Sequence, residues 1–148
     1  MHLSTKYSVA IHCLIFIYEY GENKKATSEL LALSTGSNPV TIRNILSSLK
    51  KEGILSVKSG TGGATINCPL KEITLYRIYT AIEPDFLSKL IGVHPAPSPF
   101  CPIGRNIHDV LDSSYEKVRD DLCRSLQSVT LEEIISEYHN IRLNFPKG

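Results

Sequence analysis

The side chains with the plainest chemistry cluster between positions 38 and 44: Asn38, Thr41, Arg43 and Asn44. An arginine guanidinium can grip guanine O6 and N7 with two hydrogen bonds, and an asparagine amide can do the same to adenine N6 and N7. A second set surrounds Ser59-Gly60-Thr61-Gly62-Gly63, where bare glycine backbone beside Lys58 permits close approach to a phosphate or a narrow groove. The plainer reading of that run is a hairpin closing a small sheet. It is not a nucleotide-binding loop, because the Lys-Ser/Thr ending of that motif is missing and no helix begins at Gly63.

Four cysteines, Cys13, Cys68, Cys101 and Cys123, lie far apart with no Cys-x-x-Cys pair, which favours reduced thiols and a cytoplasmic setting over a disulfide framework. Cys101 directly precedes Pro102 at the start of a long periodic segment. Helix N-terminal amides favour a thiolate there, so Cys101 is a candidate redox-sensing residue, beside the plainer reading of a small buried apolar side chain. Cys13 sits among helix-core residues, and Cys123 lies beside Leu122. The five histidines, His2, His12, His94, His108 and His139, are scattered, and neither His-Glu-x-x-His nor Gly-x-Ser-x-Gly occurs. No catalytic residue is nominated and no enzyme is expected. His94 and His108 flank Cys101 in sequence but read as ordinary surface or helix histidines, so no metal site is expected either.

The elements that position these groups are legible from periodicity. Tyr7, Ala10, Ile11, Leu14, Ile15 and Tyr18 recur at helical spacing, and Gly21 follows as a stop. Thr27 can cap a short helix carrying Leu30, Leu31 and Leu33, and Gly36 in the next turn can take φ > 0. Asn38 followed by Pro39 is a strong helix start. That helix buries Ile42, Ile45, Leu46 and Leu49, leaves Thr41, Arg43, Asn44, Ser47 and Lys51 on other faces, and ends at Gly53. Residues 54–58 and 64–68 read as two strands around the glycine run. Thr74 can cap a further helix with Leu75, Ile78 and Ile82. Pro84, Pro95, Pro97, Pro99 and Pro102 make the following stretch mostly irregular. Residues 103–126 read as one long helix of roughly 36 Å, with Ile103, Ile107, Val110, Leu111, Val118, Leu122 and Leu126 on a stripe. Thr130 and Glu133 form a capping box for a last helix.

The chain has 148 residues, 42% hydrophobic and 21% charged, which excludes a disordered chain and suits one domain with a core. No apolar run is long enough to span a bilayer, and the run at positions 13–18 has no cleavage site behind it, so neither a membrane partner nor a secretory signal is expected. The net charge of +1 hides an asymmetry. Through Thr80 nine Lys/Arg face five Asp/Glu, a net of +4; from Ala81 seven face ten, a net of −3. A basic first half suits phosphate contact.

Two helices joined by a glycine turn, then a glycine-rich hairpin, make a winged helix-turn-helix, whose second helix can enter the major groove. Three segments then resemble the Rrf2 family of bacterial transcription regulators: His-Leu-Ser-Thr-Lys-Tyr-Ser-Val-Ala at 2–10, Leu-Lys-Lys-Glu-Gly-Ile-Leu at 49–55 ahead of the wing, and Ile73-Thr74-Leu75 followed by Ala81-Ile82-Glu83. The resemblance covers about residues 1–138. It implies a mostly α fold with a small β-hairpin wing, divided into a DNA-binding domain at 1–83, a loop at 84–102, and a dimerisation helix with a C-terminal helix at 103–148.

It also implies a homodimer that binds double-stranded DNA at a palindromic operator as a sequence-specific regulator, with repression the expected sense. Ser4, Lys6, Thr27, Ser28, Asn38, Thr41, Arg43, Asn44, Lys50, Lys58, Ser59 and Thr61 are the expected DNA-contacting residues, and Ile103, Ile107, Val110, Leu111, Val118 and Leu122 the dimer contacts. Ser59 and Ala64 stand where the family wing usually carries Arg and Tyr, which leaves Lys58 as the wing cation. Iron–sulfur members of the family hold their cluster with three cysteines before the long helix. Only Cys101 matches, with Lys89 and Pro95 near the other two positions and Gly104 at a possible fourth, so no cofactor is expected. The effector is then thiol oxidation at Cys101, a small ligand or partner protein at the loop, or none. The competing reading is a winged-helix module that binds another protein through its hairpin and loop.

Overall fold

A computed structural model describes residues 4–58 and 62–144. Helices α1 (Lys6–Tyr20), α2 (Ser28–Thr35) and α3 (Pro39–Lys51) lead into strands β1 (Leu55–Val57) and β2 (Ala64–Ile66). A 3-10 turn at Leu70–Glu72 precedes α4 (Leu75–Ile82), α5 (Phe86–Leu90), α6 (Pro102–Ser128) and α7 (Leu131–Asn144). The strands pair antiparallel with Leu55 opposite Ile66 and Val57 opposite Ala64. This is the mostly helical winged architecture the sequence implies. Ser59 and Thr61 lie outside the described residues.

The helix starts follow the expected caps. Thr27 Oγ1 accepts from the Leu30 amide at 3.2 Å, Asn38 Oδ1 from Val40 at 2.7 Å, and Thr74 Oγ1 from Arg77 at 3.1 Å. Each satisfies a first-turn amide that has no partner within the helix. Gly36 ends α2 at φ 71, a left-handed conformation in which a Cβ would be strained. Gly21 follows α1 without any such demand, at φ −61. α5 is a single short helix inside the proline-punctuated stretch.

The core draws on α1 (Ala10, Cys13, Leu14, Ile17), α2 (Leu31), α3 (Ile42, Ile45, Leu46, Leu49) and the hairpin (Leu55, Ala64), together with Ile73 and Ile78. Leu131 and Ile135 complete it, so α7 packs on the winged unit. It is joined there by backbone: Thr74 and Thr130 form an antiparallel bridge, with the Leu75 amide donating to Val129 O at 2.9 Å and the Leu131 amide to Ile73 O at 2.7 Å. Thr130 supplies half of the expected capping box, accepting from the Glu133 amide at 3.3 Å.

The apolar stripe of α6 resolves into two faces. Ile107, Leu111, Tyr115 and Leu122 are half-buried and Leu126 buried, on the side where α6 meets α4. Arg119 on that side donates to Ile91 O at 2.9 Å. Ile103, Val110 and Val118 point elsewhere and are 74%, 64% and 49% exposed.

Candidate nucleic-acid interface

α3 carries its apolar side chains inward because Ile42, Ile45, Leu46 and Leu49 recur every three or four residues; the same periodicity turns Arg43, Asn44, Ser47 and Lys50 outward. On one flank of α3, Arg43, Ser47 and Lys50 meet Thr27 and Ser28 of the α2 start and Lys58 at the end of β1, around an open cleft of about 600 Å³. Gly63 forms its floor at φ 73, where a Cβ would come within 2.9 Å of the Ala26 backbone nitrogen.

On the other flank, Thr41 and Asn44 share a hollow of about 80 Å³ with Lys6 and Ile82. α3 thus forms a ridge between two recesses, with Arg43 on one side and Asn44 on the other. Asn38 is partly committed: its Oδ1 caps α3, which leaves its amide nitrogen to donate outward. Ser4 lines neither recess. Its Oγ accepts from the Lys6 amide at 3.2 Å, and it lies at a separate apolar hollow bordered by Tyr7, Phe86 and Leu122.

Two charged residues missed by the sequence reasoning shape the site. Glu29 lies 3.9 Å from Arg43, an exposed pair worth well under about 1 kcal/mol, so the guanidinium is free to leave it for a stronger partner. Arg77 of α4 donates to Glu52 O at 3.0 Å and to Glu72 O at 3.4 Å, clasping the end of α3 to the segment beyond the wing. Its cation faces the negative end of the α3 dipole. The only sequence signal for Arg77 is a cation three residues after the Thr74 cap.

The cysteines differ as their surroundings do. Cys101 is exposed immediately before α6, and the backbone amides of Gly104 and Ile103 hold its thiol below the usual value. Burial pushes Cys13 up to about 12. Cys68 receives a contact from Arg77 Nη1 at 3.5 Å. His108 Nε2 meets the His94 carbonyl oxygen at 3.2 Å.

A family model described as Rrf2, iron-dependent transcriptional regulator, matches residues 3–137. YwnA of Bacillus subtilis strain 168, named as an HTH-type transcriptional regulator, is 33% identical over 134 residues, covering 90% of this chain and 97% of YwnA. A solved transcriptional-regulator structure from Lactobacillus plantarum is 25% identical with a TM-score of 0.77, over 97% of this chain and 96% of that one. A solved structure described as a DNA-binding protein is 31% identical with a TM-score of 0.69, over 88% of this chain and 98% of that one.

The iron in the family description can be tested against the donors present. Among the described residues no group of three or more His, Cys, Asp or Glu is placed to hold a metal ion. One exposed thiol at Cys101, with Cys13 in the core, does not fit a cluster that takes about four protein ligands.

Proposed function

This chain belongs to the Rrf2 family of DNA-binding transcriptional regulators, and on that premise we propose that it acts as a homodimeric repressor at a palindromic operator. The observation that carries the reading is the cleft beside α3, where Arg43, Lys50, Lys58, Thr27 and Ser28 converge. With α3 in the major groove, Arg43 and Asn44 read base edges while Thr41 and the Asn38 amide nitrogen border them. Thr27, Ser28, Lys6, Lys50 and Lys58 take phosphates on either side, with Ser59 and Thr61 as further proposed contacts.

The dimer uses the outward face of α6. Ile103, Val110 and Val118 expose apolar surface along a helix of 27 residues, and a second copy covers it, with Ile107 and Leu111 at the margin. Leu122 faces its own chain and supports the angle of α6 instead. A two-fold pair then spaces its recognition helices for half-sites about one helical turn apart. The reading includes no catalysis, no iron–sulfur cluster and a cytoplasmic setting, with Cys101 as its oxidant-responsive thiol.

Fluorescence anisotropy of the upstream region of its own gene, titrated across a salt series, tests the proposal. Tight binding to one palindrome with a steep inverse salt dependence is expected. Absence of a salt slope, or regulation unchanged by Arg43→Ala, would instead favour a protein-interaction module.

A further inference from the structure

The hollow next to Ser4 lies apart from the recesses on either side of α3. It has a volume of about 390 Å³ and lies where α1, α4, α5 and α6 meet. That size falls within the range of small-molecule sites, which are concave, mostly apolar and furnished with a few converging polar groups. Its walls are aromatic. Tyr7 and Tyr79 stack with centroids 4.3 Å apart and an interplanar angle of 10°. Phe86, buried, meets Tyr79 edge-on at 5.5 Å and Tyr7 at 6.1 Å. Leu90, Leu122 and Leu126 complete the apolar lining.

The polar groups sit together at one side. Tyr7 donates its hydroxyl to Glu83 at 3.2 Å, and Glu83 pairs with Lys89. Lys89 has a second carboxylate, Asp85, at 3.5 Å. Two carboxylates thus share one ammonium: Glu83 and Lys89 line the hollow and Asp85 stands behind Lys89 outside its lining, a net charge of −1 over the three. Lys89 is the more exposed partner, 59% against 32% for Glu83. An incoming cation can therefore take the inner carboxylate while Lys89 retains Asp85.

We propose that this hollow is a binding site for a small apolar ammonium, an aryl- or alkylamine whose cation meets Glu83 and whose body lies against Tyr7, Tyr79 and Phe86. Aromatic faces attract cations as well as apolar bodies, and the surplus carboxylate selects against anions. The walls come from the DNA-binding unit on one side and from α6 on the other. Occupancy therefore biases the angle between them and, by linkage, changes operator affinity; this coupling rests on the DNA-binding reading above.

Isothermal titration calorimetry of the full chain with 2-phenylethylammonium, 2-phenylethanol and phenylacetate tests the site. The ammonium is expected to bind at least about tenfold tighter than the alcohol, and the anion weakest. Glu83→Gln should remove the preference for the ammonium while leaving the circular dichroism spectrum unchanged. Leu122→Trp, which fills the hollow, should abolish binding of ammonium and alcohol alike. No ammonium binding at millimolar concentration, equal binding of the three probes, or an undiminished preference in Glu83→Gln would each overturn the site. The operator titration is then repeated with the ammonium present. A shifted midpoint supports the coupling, and an unshifted one overturns it while the calorimetry stands. Failure to bind any DNA would sink the regulatory reading and leave the calorimetric result intact.

Discussion

α3 and α6 are both amphipathic, yet their own chain satisfies them to very different degrees. α3 has 13 residues and buries Ile42, Ile45, Leu46 and Leu49. α6 has 27 and buries only Leu126. Periodicity is therefore a poor guide to what an apolar face packs against. Where the remaining core lies within a few turns of chain, the face closes on it. Where the helix, at roughly 40 Å, outruns the unit it grows from, the face is left exposed.

The hardest test of that contrast is Leu49→Ala. This side chain is fully buried, and its truncation should cost about 2–5 kcal/mol, lowering the urea midpoint. On α6, Val110→Asp should leave the far-ultraviolet circular dichroism and the hollow beneath α4 intact. It should halve the sedimenting mass and weaken operator binding on the order of a hundredfold as the second half-site is lost. If Val110→Asp instead unfolds the chain, the two helices do not differ as described.

Smaller effects separate the outer face of α3 from its inner one. Arg43→Ala should cost about 1–3 kcal/mol in operator affinity and relax the preference at one base position, without moving the thermal midpoint. Lys50→Ala should weaken all sequences alike and lower the salt slope by about one. The smallest effect concerns the start of α6. Cys101, exposed and held toward thiolate, should be alkylated well ahead of Cys13 in the native protein at neutral pH, as mass spectrometry of iodoacetamide-treated protein would show. Equal labelling would remove Cys101 as a candidate sensor.

The local signals in the sequence were reliable where the cause is local. Thr27, Asn38-Pro39, Thr74 and Gly36 act through the residues next to them, so type and order sufficed. Arg43, Lys50 and the Lys58 end of the wing could be assigned to one surface because a turn and a hairpin leave few ways to arrange them. Three things were not legible because each needs contacts distant in sequence. The split of the α6 stripe depends on α4 and on the carbonyl of Ile91. The Tyr7–Tyr79–Phe86 cluster joins three helices across most of the DNA-binding half. The placement of Ser4 at the hollow beside Tyr7 and Phe86 follows from how α1 meets α5, which no spacing encodes.

The bridge between Thr74 and Thr130 bears on the order in which the protein comes into being. Because Leu131 and Ile135 fill the same core as Leu14 and Leu49, that core stays open until α7 has been synthesised. α6 is thus an excursion, made between two stretches of chain that must later meet. A nascent polypeptide halted after Ser128 has α3 but lacks the residues that close the core beneath it. Competence to bind DNA accordingly waits on α7, and truncations that remove α7 should fail while every residue proposed to contact DNA is still present.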